Sequence, residues 1–440
     1  MKRGNVLVQA AIAALMLAAC GGTPATTPST QNTSAPATGA TSAPAPAATT
    51  APATGGQGGI IKIVSSLPRQ GASKTQTDAV VNAIKLRLEE DGNKACNGQF
   101  DIVYEDKDDA TAASGKWDPA TEVTVAQGAV ADPDVVVYIG TFNSGAAKLS
   151  MPILNQANLV MISPANTYTC LTKPGKGEPG EPENYFPTGK KNYVRVVTAD
   201  DVQGAAAALL AQGLGAKSVF ILDDQEVYGK GVADVFDAKA AEIGLTEIDR
   251  QGIDGKASDY RALATTITSK APDLVYYGGI VENNAGQLLK DLRGAGYKGL
   301  FLGPDGINTE SMITGSGVDI AEGIYATQAG TPVDQLGERG KGYLEKYKAK
   351  YGGAPEAYGI YGYDAAGAAL AAINKVCSKD RAAIRDAVFA IKDFDGALGK
   401  WSFDANGDTT LSTVVGYKAV GGKWTEVKIF QDGAWKDLAK

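Results

Sequence analysis

Two successive series of short apolar runs, each run followed by a helical stretch, constrain what this 440-residue chain can fold into. In the first series Ile60–Ser66, Phe100–Glu105, Asp134–Ile139 and Leu159–Ser163 read as buried strands carrying Ile or Val and bounded by turn residues. Thr75-Gln-Thr-Asp78 has capping-box spacing, and Val81, Ile84 and Leu88 then share one helical face. Asp118-Pro119 opens a second helix. The second series runs through Tyr193–Val197, Lys217–Leu222, Thr246–Gly252, Asp273–Tyr277 and Gly299–Leu302. Its helices are expected near Asp201–Gln212, Gly229–Ile243, Ser258–Lys270 and Asn284–Ala295. Strands alternating with crossover helices imply parallel sheets covered on both faces, so the expected fold is α/β with two doubly wound lobes. Ligands on such sheets bind beyond the carboxyl ends of the strands. After Glu322 the pattern is helix-heavy (Gln335–Tyr351, Asp364–Val376, Arg381–Ile391). The tail from Gly399 reads as antiparallel strands with a turn at Asp404-Ala-Asn-Gly407.

Composition then excludes several chemistries. With 42 basic and 49 acidic side chains the formal charge is −7, so nucleic acid is not an expected partner. Apolar residues at 44% and charged residues at 21% suffice for a buried core. The chain has no histidine, which removes every His-based general base and nucleophile pair and the commonest zinc ligand. Four cysteines without CxxC spacing do not make a metal site, and no cofactor or metal is expected.

The N-terminal segment reads as processing and tethering sequence. Lys2 and Arg3 precede the apolar run Val6–Ala19, too short to cross a bilayer and shaped like a secretory h-region. It ends in Leu17-Ala18-Ala19-Cys20, which resembles a bacterial lipobox. That resemblance implies a signal peptide over 1–20, cleavage before Cys20 and lipid on its sulfur; a plain secretory signal is the alternative. Residues 21–59 contain no charged or aromatic side chain and read as a disordered linker with a mean reach of roughly 35 Å. The expected localisation is extracytoplasmic and lipid-anchored to the membrane.

Candidate binding residues cluster at strand ends. Gly140-Thr-Phe-Asn-Ser144-Gly145 links a strand to a helix, where Ser144 is either an ordinary cap or a donor beside backbone N–H groups that attract an anion. Met161-Ile-Ser163-Pro-Ala165-Asn-Thr167 ends the next strand and frees the Ala165 carbonyl and the Thr167 hydroxyl. In the second series, Gly278-Gly279-Ile280 lets something approach the backbone closely. Leu302-Gly-Pro-Asp305-Gly306 presents a lone carboxylate, either a solvated turn residue or an anion facing the cleft to pair an ammonium. Tyr228 either packs on a ligand or staples its helix. No phosphate-binding loop, dinucleotide loop or GxSxG elbow occurs. Asp404-x-Asn406-Gly-Asp408 imitates a calcium loop for three positions only. The acidic run Glu105-Asp-Lys-Asp-Asp109 reads as a solvated strand end or a weak cation site.

The segments IGTFNSG, LVMISPANT, DDQEVYGKG, DLVYYGG and FLGPDG, in this order, resemble the leucine/isoleucine/valine-binding proteins, type I extracellular solute-binding receptors of branched-chain amino acid ABC importers. The similarity runs from about Ile60 to near Asp408. It implies two lobes joined by a three-crossing hinge near Val197–Thr198, Gln328–Gly330 and Leu398–Lys400. The first lobe would then comprise 60–197 plus 331–399 and the second 198–330 plus 400–440. It also implies that Ser144 and Thr167 hold a ligand carboxylate, while the Ala165 carbonyl and Asp305 receive its ammonium. The family's tyrosine after the two glycines is Ile280 here, and a first-turn aromatic position is held by Lys74. Lys74 would suit a polar or acidic ligand, whereas Ile280, Tyr168 and Tyr277 would suit an aliphatic one.

The resemblance implies a non-enzymatic monomer that closes on an amino acid, its differential contacts biasing the hinge, and hands it to a membrane permease. Alternatives are a tethered solute sensor, an extracellular carboxylate enzyme such as a glycosidase, which needs a second acid beside Asp305, and a lipid-tethered adhesin. With Cys20 lipidated, Cys96, Cys170 and Cys377 are left. Cys96 follows one helix and Cys377 ends another. If both helices start at the cleft, a Cys96–Cys377 disulfide is expected and Cys170 is free; three reduced thiols are the alternative.

Overall fold

A computed structural model of the chain describes residues 58–438. The expected signal peptide, Cys20 and all but the last two linker positions lie outside the described residues. The first lobe is built from β1 (Ile60–Leu67), α1 (Lys74–Glu90), β2 (Lys94–Ala95), β3 (Phe100–Asp108), α2 (Pro119–Ala131), β4 (Val135–Gly140), α3 (Ser144–Gln156), β5 (Val160–Ser163) and β6 (Tyr193–Arg195). Its sheet has the order β2-β3-β1-β4-β5-β6, parallel throughout except for the β2–β3 pair. All six residues of β4 are buried, as a central strand covered on both faces requires.

The second lobe contains α4 (Asp200–Gly213), β7 (Ser218–Asp223), α5 (Val227–Glu242), β8 (Thr246–Gly252), α6 (Arg261–Lys270), β9 (Leu274–Gly278), α7 (Ala285–Gly294), β10 (Leu300–Gly303), α8 (Glu310–Ser316), α9 (Val318–Ala321) and β11 (Tyr325–Ala329). The chain returns to the first lobe for α10 (Glu338–Tyr351), α11 (Gly359–Val376), α12 (Arg381–Phe389) and the hairpin of β12 (Phe394–Gly396) and β13 (Gly399–Trp401). It ends on the second sheet with β14 (Val414–Val420), β15 (Lys423–Gln431) and β16 (Ala434–Asp437). That sheet runs β16-β15-β14-β11-β10-β9-β7-β8, parallel from β11 to β8 and antiparallel beyond.

Two expectations change. First, α1 starts at Lys74 behind Ser73, without a side-chain cap, so Thr75–Asp78 is not a capping box. In α2, by contrast, Asp118 accepts from Thr121 N at 2.9 Å. Second, the third crossing is not at 398–400. Trp401 and Phe403 belong to the first lobe's apolar core, and Arg195 N donates to Gly407 O at 2.9 Å. Buried Arg195 also pairs with Asp408 at 2.7 Å. The crossing therefore falls between Thr409 and Val414, where it lies beside the other two: Thr198 Oγ1 donates to Leu411 O and Gly330 N to Thr413 O. The turn expected at Asp404–Gly407 is present, Gly407 N donating to Asp404 O at 3.2 Å, and Asp404 Oδ1 accepts from Asn406 N and Asp408 N. Cys96 and Cys377 form a disulfide with Cα atoms 5.5 Å apart, and Cys170 is a buried free thiol. Among the described residues, no helix is long and apolar enough to cross a membrane.

Candidate functional site

At the carboxyl end of β4, Gly140 abuts Ser66 so closely that a Cβ would come within 2.8 Å of its carbonyl oxygen. The chain then turns through Thr141–Asn143 into α3. Asn143 occupies the cap position, and Ser144 is the first helical residue, its Oγ accepting from Tyr168 N at 3.4 Å. At the end of β5, Ser163 Oγ accepts from Ala165 N and Asn166 N at 3.2 and 2.8 Å. Asn166 Nδ2 reaches across to Phe142 O at 3.0 Å, locking the two turns side by side.

The second lobe supplies the opposite wall. Tyr228 sits in the first turn of α5. Ile280 follows the two glycines after β9, and its N–H donates to buried Asp224 at 3.1 Å. Burial pushes the Asp224 carboxyl up to about 7. Gly306 packs on Gly279, where a Cβ would stand 2.5 Å from the carbonyl oxygen.

These turns meet in a small cavity of about 20 Å³. The first lobe contributes Phe142, Asn143, Ser144, Ala165 and Tyr358, and the second contributes Tyr228, Ile280 and Gly306. Asp305 is buried beneath it, 1% exposed. Its carboxylate accepts from Gln203 Nε2 at 2.5 Å and from the hydroxyls of Tyr228 and Tyr358. Burial raises the Asp305 pKa while these donors oppose the rise. One carboxylate on the second lobe is thus tied to a tyrosine of each lobe.

Of the sequence-derived candidates, Ser144, Ala165, Tyr228 and Ile280 line the cavity. Thr167 does not; it is buried beside α4, where its carbonyl accepts from Asp200 N at 2.8 Å. Lys74 is a correction: its side chain is 51% exposed and pairs with Asp78 one helical turn on, at 2.5 Å. A lysine at the start of α1 reaches water and a neighbouring carboxylate more cheaply than a closed cavity. Tyr168 and Tyr277 are also spent elsewhere, on Glu181 and on the Ile280 carbonyl. Sequence reasoning missed Phe142, Gln203 and Tyr358. Phe142 lay within the quoted GTFNSG segment, and Tyr358 lies before the point at which α11 was expected to begin.

In the acidic run, Glu105 pairs with Lys62 at 3.0 Å and Asp106 with Arg69 at 3.1 Å, whereas Asp109 is wholly buried rather than a solvated strand end. No cluster of three metal-ligating side chains occurs among the described residues.

Comparison with known proteins places this architecture. The profile of the family described as Periplasmic binding protein matches residues 60–423. The chain is 29% identical to the Leu/Ile/Val-binding protein BraC3 of Rhizobium johnstonii, over 81% of this chain and 90% of that one. A crystal structure of a leucine binding protein, LivK, from Thermotoga maritima superposes with a TM-score of 0.75 at 26% identity, covering 84% of this chain and 99% of that one. A solute-binding protein of an R. palustris ABC transporter, solved with benzoate, shares the fold with a TM-score of 0.71 at 18% identity, covering 84% and 96% of the two chains. The chain belongs to the periplasmic binding protein family, among the relatives of the Leu/Ile/Val-binding proteins.

Proposed function

We propose that this protein is the extracytoplasmic substrate-binding component of an ABC importer, lipid-anchored through Cys20, which captures an amino acid between its lobes and delivers it to a membrane permease. The observation that carries the reading is the meeting of the Ser144 and Ala165 turns with Tyr228 and the Asp305 turn in one small cavity between the lobes. Hydroxyl and backbone groups on the first lobe suit a carboxylate, and Asp305 on the second suits an ammonium. A zwitterion would bridge the two lobes and favour closure. Phe142, Ile280 and Tyr358 offer an apolar wall, and with Lys74 on the surface no basic side chain lines the cavity. A branched-chain or related aliphatic amino acid therefore fits better than an acidic one.

A thermal-shift screen of amino acids against the wild type and Asp305→Ala tests this. A true ligand at 100 times its Kd adds about 2.7 kcal/mol to wild-type stability. Asp305→Ala weakens the same ligand by roughly 2–5 kcal/mol, because it strands a desolvated ammonium. A panel in which no amino acid shifts the wild-type melt sinks the proposal, and unchanged affinity in Asp305→Ala removes that residue from the site.

A further inference from the structure

We infer that the hinge carries a second ligand pocket, separate from the cleft cavity, which takes a short aliphatic amine bearing a hydroxyl. The pocket, of about 90 Å³, lies beside the second crossing and has walls from both lobes. Glu356 and Ile360 come from the first lobe, Val415 and Glu426 from β14 and β15 of the second, and Gln328 and Val333 from the crossing and its exit. It shares no lining residue with the cleft cavity. Two carboxylates line it, no lysine or arginine does, and neither carboxylate forms an ion pair among the described residues. Their hydrogen bonds are long. Glu356 Oε1 accepts from Glu310 N at 3.3 Å and Thr309 Oγ1 at 3.4 Å, and Glu426 accepts from Val333 N and from the Tyr417 hydroxyl, both at 3.2 Å. Burial raises the pKa of each, as it does for carboxylates short of a counter-charge.

A primary ammonium, with three donors and a positive charge, answers both acids. Gln328 has the opposite need: it is 2% exposed and its Nε2 has no partner, so a hydroxyl oxygen on the same molecule satisfies it. A carboxylate in the hydroxyl's place would add a third negative charge, which separates this pocket's ligand from an amino acid. Val333, Ile360 and Val415 leave the remainder apolar, and the volume holds about six water-sized spheres, the scale of 2-amino-3-methylbutan-1-ol (valinol). Gln328 also links the pocket to the cleft. Its Oε1 accepts from Asn308 Nδ2 at 3.4 Å, three residues past Asp305, and Asn308 O accepts from Gln76 Nε2 of α1 at 3.5 Å. Both cavities are bounded by both lobes, so a ligand in either favours the lobe arrangement in which both exist, and each ligand strengthens the other.

Calorimetry with valinol as the probe tests this on the wild type and two variants. Val333→Trp fills the pocket from a position 52% exposed, and Glu426→Gln removes a charge while keeping an acceptor for Val333 N. Valinol is expected to bind the wild type while leucine saturates the cleft, and both variants are expected to weaken it roughly tenfold or more. Bound valinol is expected to tighten leucine about fivefold or more. No binding of valinol to the wild type, equal binding to both variants, or displacement of valinol by leucine overturns the inference, the last by making valinol a cleft ligand. A leucine affinity that bound valinol does not move overturns the coupling. Should no amino acid bind, the amino-acid reading fails but valinol still decides: binding lost in Val333→Trp and kept in Asp305→Ala supports the hinge pocket, and the reverse pattern overturns it.

Discussion

Glu122 is a buried acid that the proposed binding chemistry does not use. It lies on α2 beneath the β4–α3 turn, accepting from Ser66 Oγ at 2.5 Å and Tyr138 OH at 2.8 Å, with buried Asp109 nearby. Burial pushes its carboxyl from 4.5 up to about 7. A carboxyl raised on folding binds its proton more tightly in the native state, so stability falls as pH climbs from about 4.5 to about 7 and levels off above. The whole effect for this group amounts to about 3 kcal/mol. Glu122→Gln keeps an uncharged partner for both hydroxyls and is expected to melt higher than the wild type at pH 8 and close to it at pH 5. Thermal melts of both proteins across that range check this, and parallel curves would show that Glu122 is ionised throughout. Asp224 and Asp364, raised to about 7 and about 6, add the same slope to both proteins and cancel in the comparison.

At the level of elements, Arg195 at the end of β6 and Asp408 past the β13 hairpin fasten the returning chain to the first lobe. Lys173 of the long loop after β5 joins the pair at 3.1 Å, and Thr172 donates to Asp408 at 2.8 Å. Burial raises the Asp408 pKa, but Arg195, Lys173 and Thr172 together outweigh it and hold the carboxyl below its ordinary value. Asp408→Asn leaves an uncompensated guanidinium and is expected to cost roughly 3–5 kcal/mol in urea unfolding; a loss below 1 kcal/mol would mean the pair adds nothing. This junction was not legible in the sequence because Asp404–Asp408 reads as a turn and its partner is more than two hundred residues away. The strands that could be read were those whose Ile and Val are buried on both faces, β1 and β4 above all. By contrast β11, Tyr-Ala-Thr-Gln-Ala, was invisible: small and polar residues fill a central strand there, with Ala326 and Ala329 buried. In α11, Gly359 and Gly362 look like breakers but permit contact with α1, a Cβ on Gly362 falling 2.7 Å from Val80 O. Reading the helix from Asp364 therefore hid Tyr358. Ser144, Ala165, Tyr228 and Ile280 were legible because a ligand turn at a strand end has a local signature. Gln203 was not, since α4 looks like any amphipathic helix until the Asp305 turn packs against it.

For the whole molecule, the lobes touch through polar contacts that cross from one to the other. Lys116 of the first lobe bridges Glu226 at 2.6 Å and the Asn283 carbonyl oxygen Oδ1 at 2.9 Å on the second. Ser73 N donates to Glu282 at 2.6 Å, and Ser311 Oγ donates to Ala72 O at 2.9 Å. If ligand capture drives closure, every seam contact is linked to affinity, because a ligand that binds the closed form gains whatever stabilises that form. The Lys116–Glu226 pair is partly exposed, at 21% and 24%, and is screened by water, so its worth is at most about 1 kcal/mol. Lys116→Ala is accordingly expected to weaken the ligand by up to about fivefold, mainly through faster release, and raised salt should reproduce part of that loss in the wild type alone. Stopped-flow release at two ionic strengths measures it, and small-angle scattering should show the wild type contracting when ligand is added. A radius of gyration indifferent to ligand, together with release from Lys116→Ala as slow as from the wild type, would mean that the lobes do not close on their cargo.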